Sequence, residues 1–347
     1  MRARCDTVRN QALDGLDHEG DVVLASVVKD VFRRRPRETR PYLSVVVNFY
    51  NNRREAPNTL YSLTRGYQQG SLDIEYEVIV LDHGSTQPLS QEEVRAFGPE
   101  FQYRFVETRS VSPVAAINAA CRDAAADRLV VMIDGAHIVT PGVIRLVLES
   151  FRRHASPFVA TVPLHLGPQR QDLSMRNGYD QQEEDRLLAQ IGWKENGYRL
   201  FAASGAFHDD SGGWYGQLFE SACFALRKAD FLSMGGFDER FQSRGGGLVN
   251  LDMFQRALVR KDLEYVVLLG EGTFHQFHGG VATNALGHEH PWKAFHEEYV
   301  RIRGHPFVRL TRVPRFLGEF PPEAAAFESA SRRAGDMLWQ KYPAMIE

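Results

Sequence analysis

Asp134 and His137 close an apolar run, Leu-Val-Val-Met-Ile, that fills positions 129–133. A carboxylate oxygen and a neutral imidazole are both ligands for a divalent cation, so the pair suits a metal site. The plainer reading is that Asp134 caps the following turn and His137 is solvated. Two more imidazoles, His275 and His278, lie three residues apart beside Gly279 and Gly280 and read as a metal or phosphate site. Polar groups end other apolar runs as well. Asn51 follows the run that begins at Tyr42, and Asp82 follows Glu75–Leu81. Asp82 can accept from a base N–H or from sugar hydroxyls, or it simply turns the chain at Asp-His-Gly-Ser. Trp214 and Tyr215 are flanked by Gly212, Gly213 and Gly216. They read either as a mobile loop offering a flat face to a sugar ring or as a plug at a core edge. Asp252 lies near the start of a helical segment, where the helix dipole alone accounts for a carboxylate.

These groups need elements to position them. Apolar runs of this length rich in Val and Ile read as strands buried on both faces, which belong to parallel sheets whose ligands bind outside the carboxyl ends. Strands are predicted over 42–47, 75–81, 102–107, 129–133, 158–163, 220–227 and 264–269. Helices are predicted over 55–67, 113–126, 142–154 and 249–258, and 169–215 reads as polar and rich in turns. Alternation of this kind predicts a doubly wound α/β sheet flanked by helices. No Gly-x-Gly-x-x-Gly follows the first strand and there is no Walker loop, which argues against dinucleotide and P-loop sites. Residues 1–40 read as an N-terminal extension with a short amphipathic helix over 22–32. Its arginines at 33, 34, 35, 37 and 40 form a solvated linker or touch an anionic membrane or phosphate-rich partner. Residues 291–347 read as a C-terminal helical extension, with helices over 292–303 and 322–342.

The chain has 347 residues, 43% of them hydrophobic and 24% charged, which fits a globular protein of one large or two ordinary domains. A formal net charge of -3 argues against nucleic-acid binding. Three dispersed cysteines, Cys5, Cys121 and Cys223, make neither a disulfide framework nor a metal motif and point to a reducing, cytoplasmic compartment. No run reaches the length of a membrane span, so membrane contact is expected to be peripheral at most.

Together the motifs resemble those of the family-2 nucleotide-sugar glycosyltransferases of GT-A fold and, more loosely, the polypeptide N-acetylgalactosaminyltransferases. Leu43–Asn51 is similar to the family's first strand with its Tyr-Asn ending, and Val78–Thr86 to the second with its Asp-Asp-Gly-Ser. Ala115–Ala120 resembles an Ala-Arg-Asn helix, with Asn118 at the Asn. Val131–His137 takes the place of the Asp-x-Asp strand. Gly235–Glu239, Gly-Gly-Phe-Asp-Glu, resembles the acceptor-side signature, and Asn250–Arg256 falls where a Glu-Asp-x-Asp helix lies. The resemblance implies a GT-A domain, a doubly wound mixed sheet flanked by helices, over 41–290, with a nucleotide-binding half (41–140) and an acceptor half (141–290). It implies an inverting transfer from a nucleoside diphosphate sugar, UDP-linked, to an unidentified glycan, lipid-linked or small-molecule acceptor, helped by Mn2+ or Mg2+. By the same resemblance Tyr50, Asn51, Asp82, Asn118 and Asp134 line the nucleotide pocket. Asp134, His137, His275 and His278 are the metal candidates, Trp214, Asp238 and Glu239 face the sugar or acceptor, and Asp252 or position 250 is the catalytic place. Assembly as a homodimer stays open.

Three departures stand out. The second Asp of the metal motif is missing, with His137 nearby; the second strand ends Asp82-His83; and the expected catalytic Asp falls at Asn250. Asn250 cannot act as a base, and Asp252 lies about 200° around the helix. Either the register slips at Gly245–Gly247, or Asp209, Asp210 or Glu220 serves, or the protein is a catalytically degenerate nucleotide-sugar or glycan-binding partner.

Overall fold

The computed structural model describes residues 41–208, 210–280 and 291–346. The N-terminal extension with its expected helix and arginine run, and Asp209, lie outside the described residues.

The central strand, β1 (Leu43–Phe49), is buried along its whole length. Its side chains alternate between two cores, Val46 packing on one face of the sheet and Val45 and Val47 on the other. After α1 (Ala56–Ser62) the chain forms β2 (Tyr76–Asp82), α2 (Gln91–Arg95) and β3 (Phe101–Phe105). Then come α3 (Val114–Asp123), β4 (Arg128–Met132), β5 (His137–Val139), α4 (Val143–Arg153) and β6 (Pro157–Leu166). The second half holds α5 (Gln171–Ser174), α6 (Gln181–Ile191), β7 (Ser204–Phe207), β8 (Cys223–Arg227), α7 (Lys228–Ser233), α8 (Val249–Leu258) and β9 (Glu264–His275). The tail adds α9 (Trp292–Arg303), β10 (Arg315–Gly318) and α10 (Ala325–Lys341).

The strands form one sheet in the order β10-β9-β6-β8-β4-β1-β2-β3, with β5 on β9 and β7 on β6. β4, β1, β2 and β3 run parallel, as do β6, β9 and β10, and antiparallel β8 joins the two groups. The expected mixed α/β sheet is therefore present. Two strands run past their expected ends. β6 continues to Leu166, and β9 passes through Gly270-Glu271-Gly272 to His275. Gly270 sits at φ 72, and a Cβ there would meet the Glu319 carbonyl oxygen at 2.2 Å, so the position requires glycine. The 169–215 stretch, expected as turns, contains α6, which starts at Asp180 where the side chain accepts from Glu183 N.

The tail packs on the core. Arg303 of α9 pairs with Asp252, and Phe295 and Tyr299 join the larger hydrophobic cluster. Among the described residues no helix is long and apolar enough to cross a membrane.

Candidate active site

β9 places His275 opposite His137 of β5 on one side and opposite His165 of β6 on the other. Three imidazoles thus form a row across adjacent strand ends, and the turn after β9 adds His278. Beside the row opens a cavity of about 1010 Å³ whose wall includes Asp134, His137, His165, His208, His275 and His278. Tyr50, Asn51, Glu220 and Asn250 line the same space. It lies at the carboxyl end of the parallel strands, where an α/β sheet binds its ligands.

His275 Nε2 is 3.5 Å and His278 Nε2 3.4 Å from Asp134 Oδ2, and the two Nε2 atoms are 3.2 Å apart. Ligand atoms that share one ion at about 2.1 Å stand roughly 3.0–3.4 Å from one another, so this triangle fits a divalent cation. His275 is oriented for that task. Its Nδ1 lies 2.7 Å from Gln171 Oε1, an acceptor, so the ring hydrogen sits on Nδ1 and the Nε2 lone pair faces Asp134. Burial lowers the His275 pKa to about 3, which keeps the ring neutral. Burial also pushes Asp134 up, but the neighbouring imidazoles, His278 first, outweigh it and hold the carboxylate well below its usual range. His278 Nδ1 lies 3.1 Å from Asn52 Nδ2, and Asn52 Oδ1 accepts from Tyr50 N. Asn52 therefore donates to His278 Nδ1, and the His278 hydrogen sits on Nε2, toward Asp134. An ion held there would take the place of that proton.

His137, expected as a metal ligand, stands beside the Asp134–His275–His278 cluster and not in it. Its Nδ1 lies 3.2 Å from the Asp134 carbonyl oxygen, which can only accept. The ring holds the backbone of the strand end, and burial lowers its pKa to about 4. The wall also carries buried acceptors with no hydrogen-bond partner: Asn48 Oδ1, His83 Nδ1, His165 Nδ1 and Asn250 Oδ1. A ligand rich in hydroxyl or N–H groups is what such a wall can satisfy.

The family model of Glycosyl transferase family 2 matches residues 44–229, more than half of the chain. The chain belongs to that family. Its mixed sheet flanked by helices agrees with a GT-A fold. No curated protein matches. Similar solved structures include S. aureus TarS 1–349 in complex with UDP, at 16% identity and TM-score 0.46, covering 68% of this chain and 61% of that one. Another is TarS 1–349 in complex with UDP-GlcNAc, at 18% identity and TM-score 0.44, covering 69% and 59%. The chain spans about three fifths of their length.

Several positions that the glycosyltransferase motifs pointed to are packed into the frame rather than the cavity. Asp82 is buried; its carboxylate accepts from Ser85 N at 3.0 Å and Tyr103 OH at 3.1 Å. Asn118 clamps the Gly-Gly-Phe-Asp-Glu turn, donating to Phe237 O and Glu239 Oε1 and accepting from Phe237 N. Gly236 sits at φ 66 against that amide, where a Cβ would meet Asn118 Oδ1 at 2.6 Å. Asp238 pairs with Arg240 and Arg303, which hold it well below the usual carboxylate range. The signature is therefore a structural turn here, and neither Asp238 nor Glu239 lines the cavity. Asp252 is 2% exposed, held by Arg256 Nε at 2.8 Å and Arg303 at 2.5 Å and 2.7 Å, and does not line the cavity. Asn250 does line the cavity. Trp214 is fully buried among Phe201, Phe207 and Phe320, with Nε1 donating to Glu271 O; it is core, and the expected binding loop is not formed by it. Tyr50 and Asn51 remain at the mouth. Asn51 adopts φ 55, and its Oδ1 accepts from Thr86 N and Oγ1. His165 and His208, stacked at 4.5 Å, had no local signal in the sequence, since only the strand register brings them to the site.

Proposed function

We propose that this family-2 chain is a glycosyltransferase that moves a sugar from a nucleoside diphosphate sugar, UDP-linked, to an acceptor hydroxyl with inversion, assisted by a divalent cation. The observation that carries the reading is the Asp134–His275–His278 triangle on the wall of a large cavity in a family-2 chain. Those three residues would hold the cation, which would neutralise the charge that develops on the leaving diphosphate. Two imidazoles with one carboxylate favour Mn2+ over Mg2+, because Mg2+ prefers an all-oxygen shell. Tyr50 and Asn51 would face the nucleoside, and the unpartnered acceptors of Asn48 and His83 would accept its N–H or hydroxyl groups. The solved TarS complexes hold UDP and UDP-GlcNAc, and the proposal extends that donor class to this chain. Residues 41–290 together with the packed tail would then form the catalytic unit.

The test is calorimetry of the full chain with UDP and Mn2+. Binding that strengthens with metal supports the proposal. Failure to bind any nucleoside diphosphate, with or without metal, sinks it.

A further inference from the structure

We propose that Glu220 is the base that takes the proton of the acceptor hydroxyl, with Asn250 and His208 as the residues that position its carboxylate. The inference rests on the transferase reading above. Position 250 holds an amide, and an amide cannot accept that proton. The fold turns this amide toward a carboxylate from another segment. Asn250 Nδ2 donates to Glu220 Oε2 at 3.3 Å and to Ser221 O at 3.3 Å. On the other side, Glu220 Oε1 lies 3.5 Å from His208 Nδ1. The three side chains come from the stretch before β8, the first turn of α8 and the end of β7, and all line the cavity. His208 is itself fixed, its N donating to Pro163 O and its carbonyl accepting from His165 Nε2.

Among the described residues, the other carboxylates on the wall are committed. Asp134 faces His275 and His278, Asp172 pairs with Arg170 at 2.9 Å, and Asp210 pairs with Arg309 at 2.6 Å. An arginine partner takes up the carboxylate oxygen that an acceptor proton would need. Glu220 is held instead by an amide and an imidazole, and its side chain is 18% exposed, shielded yet reachable from the cavity. Burial pushes its carboxyl up, and His208 and Asn250 more than offset this, leaving it ionised at neutral pH. The imidazoles of His165 and His208 lie 5.8 Å and 6.1 Å from that of His275, centroid to centroid. The carboxylate therefore shares a cavity wall with the place proposed for the donor diphosphate, linked to His275 by way of His208.

The step balances. The acceptor proton passes to Glu220 as the acceptor oxygen bonds to the anomeric carbon. The anomeric C–O bond to the diphosphate breaks on the opposite face, and the nucleoside diphosphate leaves with the electron pair.

The experiment uses the full chain with Mn2+ and UDP-GlcNAc, UDP-glucose or UDP-galactose, with water as the acceptor, and measures UDP release beside UDP affinity and thermal midpoint. Glu220→Gln should keep UDP affinity within about twofold and lose at least about a hundredfold in kcat, within the range a general base supplies. Glu220→Asp, and Glu220→Gln combined with Asn250→Asp, should recover part of that loss, because each returns a carboxylate to the same spot. Asn250→Ala is the second variant; it should lower kcat about tenfold with the donor KM unchanged. Glu220→Gln with near wild-type release, or a loss confined to KM, overturns the assignment. So does a wild-type protein that binds UDP but releases none. A wild-type protein that binds no UDP overturns the transferase reading itself, and the calorimetry reads that outcome separately.

Discussion

His275 Nε2 and His278 Nε2 face each other at 3.2 Å, and both stand within 3.5 Å of one Asp134 oxygen. Two ring nitrogens that close, turned on a shared carboxylate oxygen, form a ready set of three ligand atoms. Removing the carboxylate should break the set. Asp134→Ala is expected to weaken Mn2+-dependent UDP binding at least tenfold, about 1.4 kcal/mol. His275→Ala and His278→Ala, made separately, should do the same in a calorimetric titration. Affinity unchanged in all three would put the ion elsewhere.

Asn52 offers a gain-of-function test of the same site. Its amide donates to His278 Nδ1 and so favours a hydrogen on Nε2, the atom an ion needs. Asn52→Asp would instead accept from Nδ1–H and leave the Nε2 lone pair for metal, while still accepting from Tyr50 N. Partners of ligating histidines commonly change metal affinity by about 10–100-fold. Tighter Mn2+ binding by Asn52→Asp is the expected result, read by titration at pH 7. Weaker or equal binding would count against His278 as a ligand.

Asp252 and Asn250 sit on the same helix with opposite fates: Asn250 lines the cavity and Asp252 is buried in ion pairs. Asp252→Ala leaves Arg256 and Arg303 facing an empty, buried position. Breaking such a pair costs about 3–5 kcal/mol, so urea unfolding should show a large loss of stability. UDP affinity per folded molecule should hold. A variant of unchanged stability would mean that the ion pairs contribute nothing measurable.

The strands and their order of polar endings were legible because buried parallel strands are apolar runs with few other readings. Asp134 was legible for the same reason, as the polar stop of such a run. What was not legible depends on register and on partners distant in sequence. The β9 strand was expected to end at Leu269 because Gly-Glu-Gly reads as a break, yet it continues and sets His275 level with His137 and His165. Asp82, Asn118 and Asp238 carry motif letters, but their hydrogen bonds go to Tyr103, Phe237 and Arg303, which no local pattern announces. Trp214 lies between glycines that suggested a loop. The aromatic shell that buries it comes from 201, 207 and 320, brought together only by the fold.

Glu271, in the middle of β9, gives a pH test that is independent of the cavity. The residue is 1% exposed; its Oε2 accepts from Gly142 N at 3.0 Å and its Oε1 from Tyr198 OH at 2.8 Å. Burial pushes its carboxyl up to about 7, against partial opposition from the hydrogen bonds of Thr140, Tyr198 and Gly142. A folded-state pKa above the unfolded value means that the folded chain binds this proton more tightly. The contribution is therefore complete below about pH 4.5 and is lost as pH rises through 7. The full loss would be about 3 kcal/mol. Glu271→Gln keeps the shape and mimics the protonated form, so its unfolding free energy should not fall over that window on this group's account. Urea unfolding at pH 5, 6, 7 and 8 should show the wild type converging downward while the variant stays flatter. Parallel curves for the two proteins would show that Glu271 folds already ionised, with its three donors outweighing the burial.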